Sequence, residues 1–175
     1  KQLFKEKAIK DIVLSAFSKC DYAKYAFGHA RLVTNGTQLN DANNQPVIKD
    51  GVIGVHNGIV VNVNELWEHH TSLKRENEID TELLLSLIRS EIDNNKPIEE
   101  AVSSSVNKVN GTVSTAMVFD NLKQFVLATN NGSLYILNNH KDILFFASER
   151  YILSKFTEKI KLSQIGSYSI DQIKP

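Results

Sequence analysis

The sequence predicts an α+β domain in which helices and strands are grouped in blocks. Three observations carry this reading. Two consecutive central stretches, 80–92 and 97–109, space their apolar residues as helices do. After Gly111 the chain breaks into short apolar runs separated by Asn- and Gly-rich turns. A further group of strand-like runs precedes the helices, so the order is helix, strands, two helices, strands, which suits packed α and β layers.

Each element follows from local pattern. Ala8, Ile9, Ile12, Val13, Ala16 and Phe17 predict a helix over about residues 5–18. Ala26 to Thr34 reads as a strand, and Asn35 to Gln45 as a polar, turn-rich connection. Val52 to His56 predicts another strand. Asn57-Gly58 then reads as a two-residue hairpin turn, with Ile59-Val60-Val61 returning as a separate strand. Asn62 to His70 can start a short helix. Asp80 or Thr81 can cap the next one, with Leu83, Leu84, Leu87, Ile88 and Ile92 as its apolar face. Pro97 opens a helix through Ala101, Val102, Val106 and Val109, which Gly111 is expected to end. Val113–Phe119, Phe125–Thr129, Leu134–Leu137 and Ile143–Ala147 are strand candidates, and a short helix runs from Ser148 to Phe156. No repeat or linker divides the 175 residues, so one domain is expected over 1–175.

Composition narrows the function. Lys plus Arg and Asp plus Glu both total 20, so no basic field favours nucleic acid. No run of about 18 apolar residues suggests a membrane span. The single cysteine, Cys20, leaves no internal disulfide or Cys-rich zinc site and fits a reducing, cytoplasmic compartment. His69 and His70 are neighbours that point different ways on a helix, and His29, His56 and His140 have no ligand spacing, so no metal and no cofactor is expected. Lys1-Gln2-Leu3-Phe4-Lys5 lacks both a Met and an apolar leader, and the chain is expected to be a segment of a longer protein.

The candidate chemistry lies in Gly28-His29-Ala30-Arg31-Leu32, Thr34-Asn35-Gly36, Val55-His56-Asn57-Gly58-Ile59, Asp80-Thr81-Glu82 and Ala147-Ser148-Glu149. Singly, each has a plain structural explanation. Arg31 would be an ion-pair residue, Asn57-Gly58 a turn, and Asp80 a helix cap. Together, in this order and at these gaps, they resemble the class II glutamine amidotransferases, whose motifs run G-H-x-R, then x-x-N-G after a strand, then D-[ST]-E at a helix start. The resemblance spans nearly the whole chain, to about Ile173.

That resemblance implies a four-layer αββα sandwich of the N-terminal-nucleophile hydrolase type, lacking its N-terminal strand in this chain. It implies L-glutamine as substrate and ammonia transfer to an acceptor domain in the same or a partner chain, with a homo-oligomer left open. It assigns Arg31 to the glutamine α-carboxylate, where a guanidinium fork makes two charge-assisted bonds, and Asp80 to the α-ammonium. Leu32, Val33, Thr34, Asn35 and Ile59 would line the substrate. Asn57 and Gly58 would form the oxyanion hole, through a side-chain N–H and a backbone N–H.

The family's nucleophile is a cysteine at the mature N-terminus, whose own α-amine serves as general base. This chain begins with Lys1, and Cys20 is internal, eight positions before Gly28. Two readings remain: a glutaminase whose cysteine lies outside this chain, or a non-catalytic relative that binds glutamine or a partner. A hydrolase of the same superfamily with another substrate fits Arg31 and Asp80 less well, since the pair suits an α-amino acid. The 175 residues alone are expected to release no ammonia from glutamine. Release that is lost in Cys20→Ser would reverse that expectation.

Overall fold

The computed structural model of the chain describes residues 18, 25–30, 40–120, 124–159 and 166–175. The helix expected over 5–18, Cys20, and the stretch from Arg31 to Asn35 lie outside the described residues, apart from Ser18.

The described strands form two antiparallel sheets. The larger contains β1 (Val47–Lys49), β2 (Val52–Val60), β3 (Gly111–Phe119) and β4 (Phe125–Thr129), in the order β1-β2-β3-β4. The smaller contains β5 (Tyr135–Asn138), β6 (Leu144–Ala147) and β7 (Ser169–Gln172), in the order β6-β5-β7. Helices α1 (Val63–His69), α2 (Asp80–Asp93) and α3 (Ile98–Asn107) lie between β2 and β3 in the chain, and α4 (Arg150–Lys159) follows β6.

Strand alternation shows how these elements stack. In β3, Val113, Thr115, Met117 and Phe119 are buried on one face. Their apolar members join Val52, Val60 and the leucines of α2 in one core. In β4 the same face carries Val126 and Ala128, which pack on that core. Phe125 faces the other way, and its ring lies 5.5 Å from Phe146 of the smaller sheet. The neighbouring Phe145 turns outward and meets Phe156 of α4 at 4.5 Å. Leu137 and Leu153 complete that second core. The layers therefore run helices, sheet, sheet, helix, as an αββα sandwich requires.

Helix α2 is buried more completely than its sequence predicts. Every residue from Asp80 to Ile88 is buried, including Leu85, which the expected apolar stripe omitted. The helix is wedged against β1, β2, α1 and α3, so no side of its first two turns meets water. Its N-cap position is Ile79, not Asp80 or Thr81, and Asp80 is the first helical residue. Asn95, at a φ of 64°, turns the chain out of the helix at its far end.

Two other expectations are corrected. Asn57-Gly58 is not a hairpin turn. β2 runs straight through it for nine residues, paired rung by rung with β3 from Val52↔Phe119 to Val60↔Gly111. The continuous partner strand overrides the local turn propensity of the dipeptide. Gly111 does not terminate α3, which ends at Asn107, but opens β3.

Gly54 explains one detail of the packing. A Cβ there would lie 2.7 Å from Leu85, so the leucine fills the space the glycine leaves. Leu85→Ala is expected to cost about 2–5 kcal/mol of stability, read as a lower denaturation midpoint with unchanged slope.

Candidate active site

The site is organised along the side of β2 that faces away from β3, beyond its short pairing with β1. In an antiparallel pair, successive residues turn their backbone N–H and C=O alternately toward and away from the partner strand. Val113 of β3 has both groups committed to Asn130: its N–H donates to Asn130 Oδ1 at 2.7 Å and its C=O accepts from Asn130 N at 2.9 Å. The Gly58↔Val113 rung is therefore not hydrogen-bonded, and Gly58 turns its N–H away from β3. His56 and Val60, two residues on either side, do the same. The Val60 N–H donates to Asp80 Oδ2 at 3.0 Å. The His56 backbone is bonded by the side chain of Gln45.

Residue 58 has to be glycine. Its φ is 153°, and a Cβ there would lie 1.9 Å from the Thr112 carbonyl oxygen and 2.7 Å from His56 Nε2. A backbone carbonyl cannot move aside as a side chain can. Asn57 pairs with Ser114 and is exposed, with its side chain on the face toward the smaller sheet. Ile59 lies on that same face and is 41 % exposed.

Asp80 arrives from a different element. The loop before α2 is fixed by buried polar groups, and Glu82, fully buried, does most of this. Its carboxylate accepts the Glu76 N–H at 2.9 Å and the Asn77 N–H at 2.7 Å. Lys49 of β1, also buried, reaches Glu82 at 3.4 Å and Glu76 at 3.0 Å. Burial alone would depress the Lys49 ammonium; the Glu76 bond and the Asp50 and Glu82 charges outweigh it and raise its pKa. Asn43 closes the other end by accepting the Glu78 N–H and donating to the Glu78 carboxylate.

His56 links Asp80 to the strand. It is buried, and its Nε2 lies 3.1 Å from the Thr112 carbonyl. A carbonyl only accepts, so Nε2 carries the proton. Nδ1 then faces α2, 3.5 Å from Thr81 Oγ1 and 3.8 Å from Asp80 Oδ1. Burial would raise the Asp80 pKa, yet the His56 ring and the Val60 and Thr81 N–H groups hold it below the usual carboxylate range.

Of the residues singled out in the sequence, Asn57, Gly58, Ile59 and Asp80 thus meet around one strand edge. Arg31, Leu32, Val33, Thr34 and Asn35 are outside the described residues. Sequence reasoning passed over Gln45, His56 and Glu82 as working parts. Glu82 was visible as the last letter of the Asp80-Thr81-Glu82 motif. The Gln45 side chain reaches the His56 backbone, and the His56 ring bridges Thr112 and Asp80, tertiary contacts that no local pattern encodes.

A sequence profile of the glutamine amidotransferase domain matches residues 29–155, well over half of the chain. The chain belongs to the glutamine amidotransferase domain family.

Relatives of this domain include the glutamine–fructose-6-phosphate aminotransferase (isomerizing) of Thermococcus kodakarensis, 31% identical over 150 residues. The corresponding protein of Zymomonas mobilis is 29% identical over 153 residues. These matches cover 82% and 84% of this chain but only 24% of each relative, so the chain spans about a quarter of the length of the curated relatives it matches. Among solved structures, the glutamine phosphoribosylpyrophosphate amidotransferase of B. subtilis superposes with a TM-score of 0.60 over 84% of this chain and 30% of its own, at 20% identity. That likeness supports the sandwich fold. No helix among the described residues is long and apolar enough to cross a membrane.

The depressed Asp80 pKa has a consequence for this glutamine amidotransferase domain. A carboxylate held below its unfolded value contributes stability above that value, and the contribution disappears as pH falls through the folded pKa. Acid unfolding should therefore be steeper below about pH 4 in the wild type than in Asp80→Asn. Circular dichroism across that range checks it, and identical acid limbs would contradict the depressed Asp80 pKa.

Proposed function

We propose that this domain hydrolyses the side-chain amide of L-glutamine and passes the ammonia to an acceptor domain in the same or a partner chain. Residues 1–175 belong to one such domain, in a cytoplasmic setting. The acceptor is a sugar-phosphate aminating domain, in keeping with the fructose-6-phosphate aminotransferases among its relatives.

The observation that carries this reading is the spacing along the edge of β2. Gly58 N–H points outward, and two residues on, Val60 N–H is covered by the Asp80 carboxylate. Two residues of strand span about 7 Å, a distance that suits the two ends of a glutamine. Asp80, which holds the Val60 N–H, takes the α-ammonium through its negative charge. Arg31 takes the α-carboxylate, with Leu32, Val33, Thr34, Asn35 and Ile59 alongside. The amide carbonyl then lies at Gly58 N–H and the Asn57 side chain.

The nucleophile is the N-terminal cysteine of this family, a residue not among these 175. Its α-amine takes the thiol proton, the sulfur adds to the amide carbon, and negative charge develops on the carbonyl oxygen. Two preorganised donors matter most at that moment, because they need no reorientation as the charge forms. The cysteine's α-ammonium returns that proton to the leaving nitrogen as the intermediate collapses with loss of ammonia, and water then releases glutamate from the thioester.

Ammonia release from glutamine by the complete protein tests the proposal. Asn57→Ala should lower kcat by about 10²–10³-fold. Arg31→Ala should raise KM for glutamine by the equivalent of about 2–5 kcal/mol. Glutamine binding with no turnover in the wild type would leave a non-catalytic module in its place. Unchanged kinetics in both variants would remove the site assignment.

A further inference from the structure

We propose that Gln45 is a positioning residue for amide cleavage: its side-chain carboxamide closes the edge of β2 at His56 and so keeps the next outward N–H, that of Gly58, open to the substrate oxyanion. This rests on the reading of Gly58 as an oxyanion donor.

The geometry is that of a strand rung made by one side chain. Gln45 Oε1 accepts the His56 backbone N–H at 2.5 Å, and Gln45 Nε2 donates to the His56 carbonyl at 2.8 Å. A carboxamide presents one donor and one acceptor in a plane, as a peptide group does. It therefore satisfies both edge groups of His56 without extending the sheet. β1 pairs with β2 only as far as Val47↔Gly54. Had β1 continued as a strand, its next residues would have covered His56 and then Gly58. Instead the chain leaves the sheet before Val47, and Gln45 supplies the single rung that is still needed.

The edge of β2 thus has an ordered series of partners. Gly54 faces β1, His56 faces Gln45, Gly58 faces outward, and Val60 faces Asp80. Gln45 and Asp80 bracket the open position from both sides. An unpaired strand edge is otherwise free to fray, twist or recruit another strand. With the flanking rungs held, the Gly58 peptide keeps a fixed direction, and a donor helps an oxyanion only if it is already aimed.

Gln45 also differs from the residues of the proposed pocket in what it should control. It reaches the backbone of His56 and makes no contact assigned to the glutamine head group. Its loss should affect the rate of cleavage rather than the grip on substrate.

The experiment uses the complete protein with Gln45→Met, which keeps the side-chain length and removes both polar groups. We expect kcat for ammonia release to fall about tenfold, less than for outright loss of an oxyanion donor, with KM for glutamine within twofold. Gln45→Glu keeps the acceptor for His56 N–H and should fall between Gln45→Met and the wild type. Asn57→Ala is measured alongside. If Asn57→Ala is slow and Gln45→Met is not, the role of Gln45 is overturned and the oxyanion reading stands. If Asn57→Ala is as active as the wild type, the oxyanion reading itself fails. Amide hydrogen exchange provides a readout independent of turnover. In the wild type His56 N–H should be protected and Gly58 N–H should exchange freely, and Gln45→Met should expose His56. A Gly58 amide protected as strongly as its strand neighbours in the wild type would overturn the proposal whatever the variants do.

Discussion

The carbonyl oxygen of Thr112 occupies the space that a side chain at position 58 would need, and much else depends on that close approach. It limits residue 58 to glycine. It gives His56 Nε2 an acceptor, which fixes the ring with Nδ1 toward Asp80 and Thr81. It occurs where the rungs between β2 and β3 leave Gly58 unbonded on that side, since Val113 is committed to Asn130. One backbone atom of β3 thereby influences the conformation of β2, the orientation of a buried histidine and the setting of a helix terminus.

The position of α2 is held by charge as much as by apolar contact. Its leucines have a broad, non-directional drive to be buried, which does not by itself fix the rotation or height of the helix. Glu82 does so, because a fully buried carboxylate must find specific partners. Those partners are two backbone N–H groups of the preceding loop and the Lys49 ammonium of β1. Such a network is costly to desolvate, and removal of one member leaves the others uncompensated. Its benefit here is precision. Asp80, two residues before Glu82, is placed against Val60 by groups that tolerate little displacement.

Much of this architecture was legible in the sequence, for reasons that differ between elements. The stretches of α2 and α3 were readable from helical apolar spacing, and those of β3 and β4 from apolar runs bounded by turn residues. β1 has only three residues, and β7 has a single apolar residue, Ile170, so neither carries a readable pattern; each is paired to a neighbouring strand. Asn57-Gly58 misled in the opposite direction. The dipeptide is rich in turn propensity, but nine continuous rungs with β3 outweigh it. Asn57, Gly58 and Asp80 were identifiable as candidates only through the order of the motifs. The bracket formed by Gln45 and the bridging by His56 arise from tertiary approach across 11 and 56 positions, and no local pattern records that.

The nine-residue pairing of β2 with β3 also ties assembly of the site to folding. Side chains alternate strictly along a strand, so a slip of one residue exchanges its two faces. Here such a slip would carry Asn57 into the leucine core and bring a residue with a Cβ onto the Thr112 oxygen. A slipped sheet would therefore lose its packing and its oxyanion geometry together. Misregistered molecules would be unstable as well as inactive, so the population that survives folding is the one in which the edge of β2 is correctly set.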